Sequence, residues 1–383
     1  MGAVVSRPIL VLVVSLLAAA ALLPAAASAA RSADDRYIVV VKESADPAAV
    51  AKAHGSPKAR VFRTALNGYA AKIPASDLAA LRRDSRVDYV EADRLMQAQW
   101  AQTGATWGLD RIDQRLLPLN STFSYTRTGA GVTAYIIDTG LRPSHADFGT
   151  RAVADQDFVD PANPNGPYYN DGKDCNGHGT HVAGTVGGAT YGVAKSVSLV
   201  GVRVLDCDGY GLISEIVAGV DWVTRNAAKP AVANMSLGGG GSTALDSAVS
   251  RSIAAGITYA VAAGNEHRDA CGFSPARVGA AITVAASDRN DRRPHFSNYG
   301  SCVDWFSPGV GITSGWFTSD SAAATLDGTS MASPHTAGAA AQYLEAYPAA
   351  SPAAVRSALY AQATKTRIGN SRTTNNHLLY TGN

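Results

Sequence analysis

A serine hydroxyl becomes a nucleophile when a base takes its proton and an acceptor holds that base in the right tautomer. Asp138, His178 and Ser330 are the residue types for that chemistry. Ser330 lies in Gly328-Thr329-Ser330-Met331-Ala332-Ser333-Pro334-His335, which runs into an apolar segment, residues 336–347, with helical spacing. The serine is thus expected at a helix start, where unpaired N–H groups and the positive end of the dipole favour a developing anion, with Pro334 in the first turn. His178 opens a second helical stretch inside Asn176-Gly177-His178-Gly179-Thr180-His181, and Asp138 ends an apolar strand in Asp138-Thr139-Gly140. Singly, these residues read as a cap, a core histidine and a turn aspartate. Jointly they suit acyl transfer.

The elements that must position them alternate. Apolar strands are expected at residues 132–137, 198–205, 231–235, 257–262 and 281–285, and helices at 178–186, 212–225, 243–255, from Ser330 onward, and 353–362. That alternation argues for an α/β fold, a parallel sheet covered by helices on both faces. Ligands in such sheets sit beyond the carboxyl ends of the strands. Asp138-Thr139-Gly140, Ser236-Leu237-Gly238-Gly239 and Ala262-Ala263-Gly264-Asn265 all fall there. Upstream, residues 37–95 read as a small β-α-β-β-α-β module with a hairpin turn at Asn67-Gly68. Residues 92–102 lack an apolar period and read as an exposed linker, which puts a domain boundary near residue 100.

The chain has 383 residues, 46% hydrophobic and 17% charged, with net charge +2, so it can bury a large core and has no electrostatic bias toward nucleic acid. Residues 9–23 form a short apolar run after Arg7, followed by Ala27-Ser28-Ala29-Ala30. That pattern is a secretory signal peptide over residues 1–29, and export leaves no membrane anchor in the mature protein. Cys175, Cys207, Cys271 and Cys302 would then meet oxidising conditions, where an even count suggests disulfides in one of three pairings. Cys175, His178 and His181 share a three-residue spacing that also permits a zinc reading, without an evident fourth ligand. The run Gly238 to Gly241 lacks the lysine of a phosphate loop.

Asp138-Thr139-Gly140, His178-Gly179-Thr180-His181-Val182-Ala183-Gly184 and the Ser330 motif resemble the three signatures of the subtilases, in the same order. Tyr191-Gly192-Val193-Ala194-Lys195, Ala233-Asn234-Met235-Ser236-Leu237-Gly238-Gly239 and Phe296-Ser297-Asn298-Tyr299-Gly300-Ser301 are similar to the proteinase K branch, aqualysin above all. Ser333 and Thr336 depart from that pattern, which more often has Thr and Val there. The resemblance implies a subtilisin-like catalytic domain over residues 100–383, preceded at 30–99 by a ferredoxin-like α+β propeptide that inhibits it. His178 would be general base, Asp138 its orienter and Ser330 the nucleophile. The Ser330 N–H and the Asn265 side-chain amide would hold the oxyanion.

Gly209-Tyr210-Gly211 and Ser236-Leu237-Gly238 would pair with an extended substrate, and Ala262-Ala263-Gly264 would help wall a pocket for apolar or aromatic side chains; Glu266 adjoins it. The resemblance also implies disulfides Cys175–Cys207 and Cys271–Cys302. Structural calcium is implied on Asp304 with the carbonyls of Gly279 and Ala281, and on Asp110, Asp113, Gln114 and Asn120; no catalytic metal is implied. The expected partners are protein and peptide substrates and the chain's own propeptide, the expected state a secreted monomer. Activity should rise through neutral pH as His178 loses its proton. The rival readings are a catalytically silent peptide-binding relative and a zinc protein. A serine-reactive phosphonate separates the three, since the protease alone is labelled at Ser330.

Overall fold

The structure, a computed structural model, describes residues 32–94, 100–160 and 171–382. It divides into two compact units, Met1–Gln97 and Ala98–Asn383. The signal segment lies outside the described residues.

In the first unit, strands Ser32–Val41, Arg60–Phe62, Gly68–Lys72 and Val87–Arg94 form one antiparallel sheet in the order second, third, first, fourth. Helices Pro47–Ala53 and Ala75–Leu81 connect them. Alternate residues Val39, Val41, Tyr69 and Ala71 meet Val50, Leu78 and Leu81 in a core of the unit's own. Two details correct the sequence reading. The hairpin is present, but residues 63–67 connect it, and Gly68 lies inside the strand opposite Val40. A Cβ there would come within 2.3 Å of the Val39 carbonyl oxygen, so the glycine serves close backbone approach and not a turn. Residues 92–102 are not a continuous linker either. The fourth strand runs to Arg94, and Trp100–Thr103 pairs antiparallel with Thr122–Tyr125. Backbone bonds and the Trp100–Tyr125 ring stack at 6.0 Å hold this ribbon, which therefore needs no apolar period.

The second unit is built on a nine-stranded sheet. Its strands are β1 (Thr133–Asp138), β2 (Ala152–Asp157), β3 (Ser198–Arg203), β4 (Ala231–Met235), β5 (Thr258–Ala262), β6 (Ile282–Ser287), β7 (Trp305–Pro308), β8 (Thr364–Lys365) and β9 (His377–Leu378). They lie in the order β8-β9-β7-β6-β5-β4-β1-β3-β2, all neighbours parallel except β8 and β9. Its longer helices are α1 (His178–Gly187), α2 (Ile213–Asn226), α3 (Thr243–Ala254), α4 (Thr329–Ala346) and α5 (Pro352–Gln362). Strand alternation sorts two cores. Ala134, Ile136, Val232 and Ala260 meet Val182 and Ala337 of α1 and α4 on one face; Tyr135, Ile137, Ala233 and Val261 meet Val220 and Val249 of α2 and α3 on the other. β2 and β7 escaped the sequence reading because the first, Ala152–Asp157, has no apolar run and the second has four residues.

Two disulfides brace the loops beyond this sheet. Cys175 is bonded to Cys207 and Cys271 to Cys302, across 32 and 31 residues of sequence. Closing a loop of that length removes on the order of 3 to 4 kcal/mol of freedom from the unfolded chain. Among the described residues no helix is long and apolar enough to cross a membrane.

Candidate active site

Connections leave β1 toward β3 and leave β4 toward β5, so the crevice beyond their carboxyl ends is a topological switch point. Asp138 is the last residue of β1 and is fully buried. Its Oδ1 accepts from the Thr139 N–H at 2.8 Å and lies 2.6 Å from His178 Nδ1. His178 is the first residue of α1. Gly179 lets that helix end approach β1, since a Cβ there would lie 2.1 Å from the Gly140 carbonyl oxygen.

What holds His178 in place is Asp174, which sequence reasoning missed. Its Oδ1 accepts from the N–H groups of Asn176 (3.0 Å) and Gly177 (2.8 Å) and from the Thr139 hydroxyl (2.9 Å). Its Oδ2 accepts from the Thr180 N–H (2.9 Å) and hydroxyl (2.6 Å). Thr139 in turn accepts from the Gly179 N–H at 2.9 Å. One carboxylate thereby satisfies the orphan donors of a helix start and ties them to the residue after Asp138. The signal for it is an aspartate four residues before a helix-opening histidine, in a stretch rich in turn residues.

Ser330 is the second residue of α4, so its N–H has no partner within the helix. Its hydroxyl donates to the Ser236 carbonyl at 3.1 Å. Pro334 stands sixth in α4, beyond the first turn where the sequence reading put it. It has no N–H to give the Ser330 carbonyl four residues back, and the Ser236 hydroxyl donates there instead, at 2.7 Å. Ser236 accepts from the Asn234 amide (2.8 Å), whose own oxygen accepts from Ser333 (2.7 Å). Ser333 thus closes a buried polar chain behind the serine. Asn265 Oδ1 accepts from both the N–H and the hydroxyl of Thr329, at 2.9 Å each, which fixes the side chain and leaves its NH2 group to the cleft.

Of these residues, Thr139, His178, Ser236, Asn265, Thr329 and Ser330 line one cleft of about 440 Å³. Gly209, Tyr210 and Gly211 form one rim, Ser236, Leu237 and Gly238 another, and Ala262, Ala263 and Gly264 stand beside Asn265. Glu266 also lines it, with its carboxylate accepting from the Asn298 amide at 2.7 Å. Burial alone would depress the His178 pKa, but the charge and hydrogen bond of Asp138, with Asp174 behind, hold it above the ordinary histidine value. His181 and His335 are different: burial pulls each down to about 4. The zinc reading fails on these contacts. Cys175 is in a disulfide, His178 is on Asp138 and His181 Nε2 is 3.0 Å from the Ile312 carbonyl oxygen.

The two implied calcium sets differ. Asp110 accepts from the N–H groups of Asn120 (3.2 Å) and Ser121 (2.7 Å), and Asp113 Oδ2 from that of Ser124 (2.6 Å). Among the described residues Asp113 Oδ1 is buried with no hydrogen-bond partner, and burial, reinforced by the charge of Asp110, pushes its carboxyl up to about 6. An orphaned carboxylate oxygen beside a second carboxylate suits a hard cation. Gln114 turns its amide NH2 to the carbonyls of Leu116 and Pro118, and the Asn120 side-chain oxygen accepts from Thr122. In the other set an arginine meets two of the oxygens: Asp304 Oδ1 and the Gly279 carbonyl both accept from the Arg356 guanidinium.

Comparison with known proteins bears on the same residues. The subtilase family pattern matches residues 129–379, and the peptidase inhibitor I9 pattern matches residues 36–99. The chain is 56% identical over 323 residues to the extracellular serine proteinase of Thermus sp. (strain Rt41A), covering 84% of this chain and 77% of that protein. It is 50% identical to the alkaline serine exoprotease A of Vibrio alginolyticus, covering 84% of this chain and 59% of that one. A solved cold adapted subtilisin-like serine proteinase superposes with a TM-score of 0.69 at 52% identity, over 73% of this chain and 99% of its own.

The Asp138–His178 contact makes a prediction about titration. By NMR, His178 should titrate above the ordinary histidine value in the native protein. In Asp138→Asn the charge is gone and burial remains, so it should titrate below that value. An unchanged titration would show that Asp138 does not govern the ring.

Proposed function

The chain belongs to the subtilase family of serine proteases, and we propose that it is exported as an inactive precursor that cuts itself and then hydrolyses proteins with broad specificity. The observation that carries this reading is the meeting of His178, Ser330 and the Asn265 amide on one cleft, with Asp138 buried behind the His178 ring.

The reaction follows from those positions. Ser330 Oγ turns from the Ser236 carbonyl to His178 Nε2, gives up its proton and attacks the carbonyl carbon of the scissile peptide. The imidazolium so formed is held by Asp138. The carbonyl oxygen becomes an oxyanion against two fixed donors, the Ser330 N–H and the Asn265 amide. Losing one such donor costs about two to three powers of ten in turnover, a magnitude that comes from subtilisin, a member of the same family. His178 then protonates the departing amine, leaving an acyl-Ser330 ester, and water attacks that ester with His178 again as base. The raised His178 pKa has a definite sign here. The base must be neutral, so the acid limb of the pH profile lies above the ordinary histidine value and activity persists into alkali.

An extended substrate adds a strand between Gly209-Tyr210-Gly211 and Ser236-Leu237-Gly238. The side chain before the cut enters the small-residue walls around Ala262, Ala263 and Gly264. One oxygen of Glu266 is held by the Asn298 amide, and the small apolar walls are what favour apolar or aromatic residues over lysine and arginine. The residues around Asp110 and Asp113 would hold calcium, which as a hard cation neutralises two neighbouring carboxylates; Asp113 Oδ1 is the group that supports this. Export is favoured by the apolar leader and the two disulfides, and the extracellular name of the Thermus relative agrees with it.

Three outcomes are expected. Wild type and Ser330→Ala, expressed side by side, should differ at the junction: wild type starts near residue 100, and the variant stays joined and inactive. If Ser330→Ala is cut at the same bond in a protease-free refolding mixture, Ser330 is not the nucleophile. A peptide-library profile should be led by apolar and aromatic residues before the cut, and dominance of lysine or arginine would refute the pocket assignment. In the Ser330→Ala background, calcium at about a hundredfold excess over Kd should raise the Tm on the order of 5 °C, and Asp113→Asn should abolish most of that rise.

A further inference from the structure

We propose that the Arg356 guanidinium permanently takes the place of a divalent cation on Asp304 and Gly279, so that this joint of the fold is independent of calcium. The joint brings together three separate parts of the chain. Asp304 precedes β7, Gly279 lies in the turn before β6, and Arg356 projects from α5. Asp304 is only 3% exposed. Its Oδ2 accepts from the Thr283 N–H at 2.8 Å, and its own N–H donates to the Thr283 carbonyl at 2.9 Å, which locks the carboxylate onto β6. Oδ1 accepts from Arg356 Nε at 2.8 Å and also from Nη2. Nη1 donates to the Gly279 carbonyl oxygen at 2.8 Å.

One guanidinium therefore engages the carboxylate oxygen and the carbonyl oxygen that a hard cation would bind, using three donors of its planar fork. A second positive charge on the same two oxygens would lie within a few ångströms of the guanidinium and be repelled. The arginine is delivered to this position by rigid structure. Ser351 caps α5 by accepting from the Ala354 N–H at 3.2 Å, Pro352 occupies the first turn, and Val355 and Leu359 are buried on either side of Arg356. The buried carboxylate needs a counter-charge whatever its source, because burial raises the Asp304 pKa and Arg356 pulls against that rise.

Removing the arginine should therefore expose a latent metal site. The test counts bound calcium by equilibrium dialysis in the full chain carrying Ser330→Ala to stop autolysis. Adding Asp304→Asn to that parent should leave the number of bound ions unchanged. Loss of one equivalent would overturn the proposal, since calcium would then be held at Asp304 beside the arginine. Adding Arg356→Ala should lower the Tm in EDTA on the order of 5 °C, gain one calcium equivalent over the parent and recover part of the loss in millimolar calcium. That gained equivalent should disappear when Asp304→Asn is added. If Arg356→Ala does not fold, Arg356→Gln is counted in the same way. A folded variant that gains no calcium overturns the claim that the guanidinium stands in a cation's place.

Discussion

Everything near the reactive serine depends on a helix that is enclosed almost from end to end. Fourteen of the eighteen residues of α4 are buried, so the helix cannot slide or turn without disturbing β4, β5 and β6. Small residues make the enclosure possible: a Cβ on Gly338 would lie 2.6 Å from the side chain of Val193. The polar residues along it are each provided for. Thr336 takes the Trp305 indole N–H at 3.0 Å, Gln342 donates to the Arg127 and Val193 carbonyls, and His335 stays neutral against the Met331 carbonyl. The one interruption of the ladder, at Pro334, frees the Ser330 carbonyl and lets Ser236 reach it. The nucleophile is thus stationed by a helix fixed in the core and by a hydrogen bond that exists because a proline is present.

The histidine is stationed by a different device. Ser330 inherits its position from packing, whereas His178 owes its position to two carboxylates with separate duties, the first of them fully buried. Asp138 addresses the ring and Asp174 the backbone that carries it. Thr139 links the two, donating to Asp174 while accepting from the Gly179 N–H, so the strand end and the helix start are joined by one hydroxyl. A carboxylate buried for its backbone partners is stable only while all those donors remain in place. The turn before α1 is also braced by the Cys175–Cys207 disulfide.

The parts of this arrangement that could be read from the sequence share one property: each breaks an apolar period. Asp138 ends a strand, Ser236 and Asn265 lie just beyond strand ends, and His178 and Ser330 open helices, so pattern alone puts them at one edge of a parallel sheet. Asn234 was not legible, because its role is to satisfy hydrogen bonds of neighbours and no spacing rule records that, and Asp174 left only the faint signal of an aspartate among turn residues before a helix-opening histidine. Arg356 was hidden for a related reason. It meets Asp304 across 52 residues, and an arginine in an amphipathic helix ordinarily reads as a solvated charge. Gly68 shows the opposite error: Asn-Gly is a strong turn signal, yet the glycine was selected by the nearness of the Val39 carbonyl.

The ribbon of Trp100–Thr103 and Thr122–Tyr125 has a consequence for the lifetime of the finished enzyme. A cut in the preceding few residues leaves an amino terminus that is already laddered to a neighbouring strand, stacked through Trp100 on Tyr125 and pinned where the Gln102 amide donates to the Thr190 carbonyl at 3.0 Å. An aminopeptidase needs several residues of free, extended chain to thread into its own site. A terminus placed there would offer it almost none, and trimming would have to peel the ribbon rung by rung.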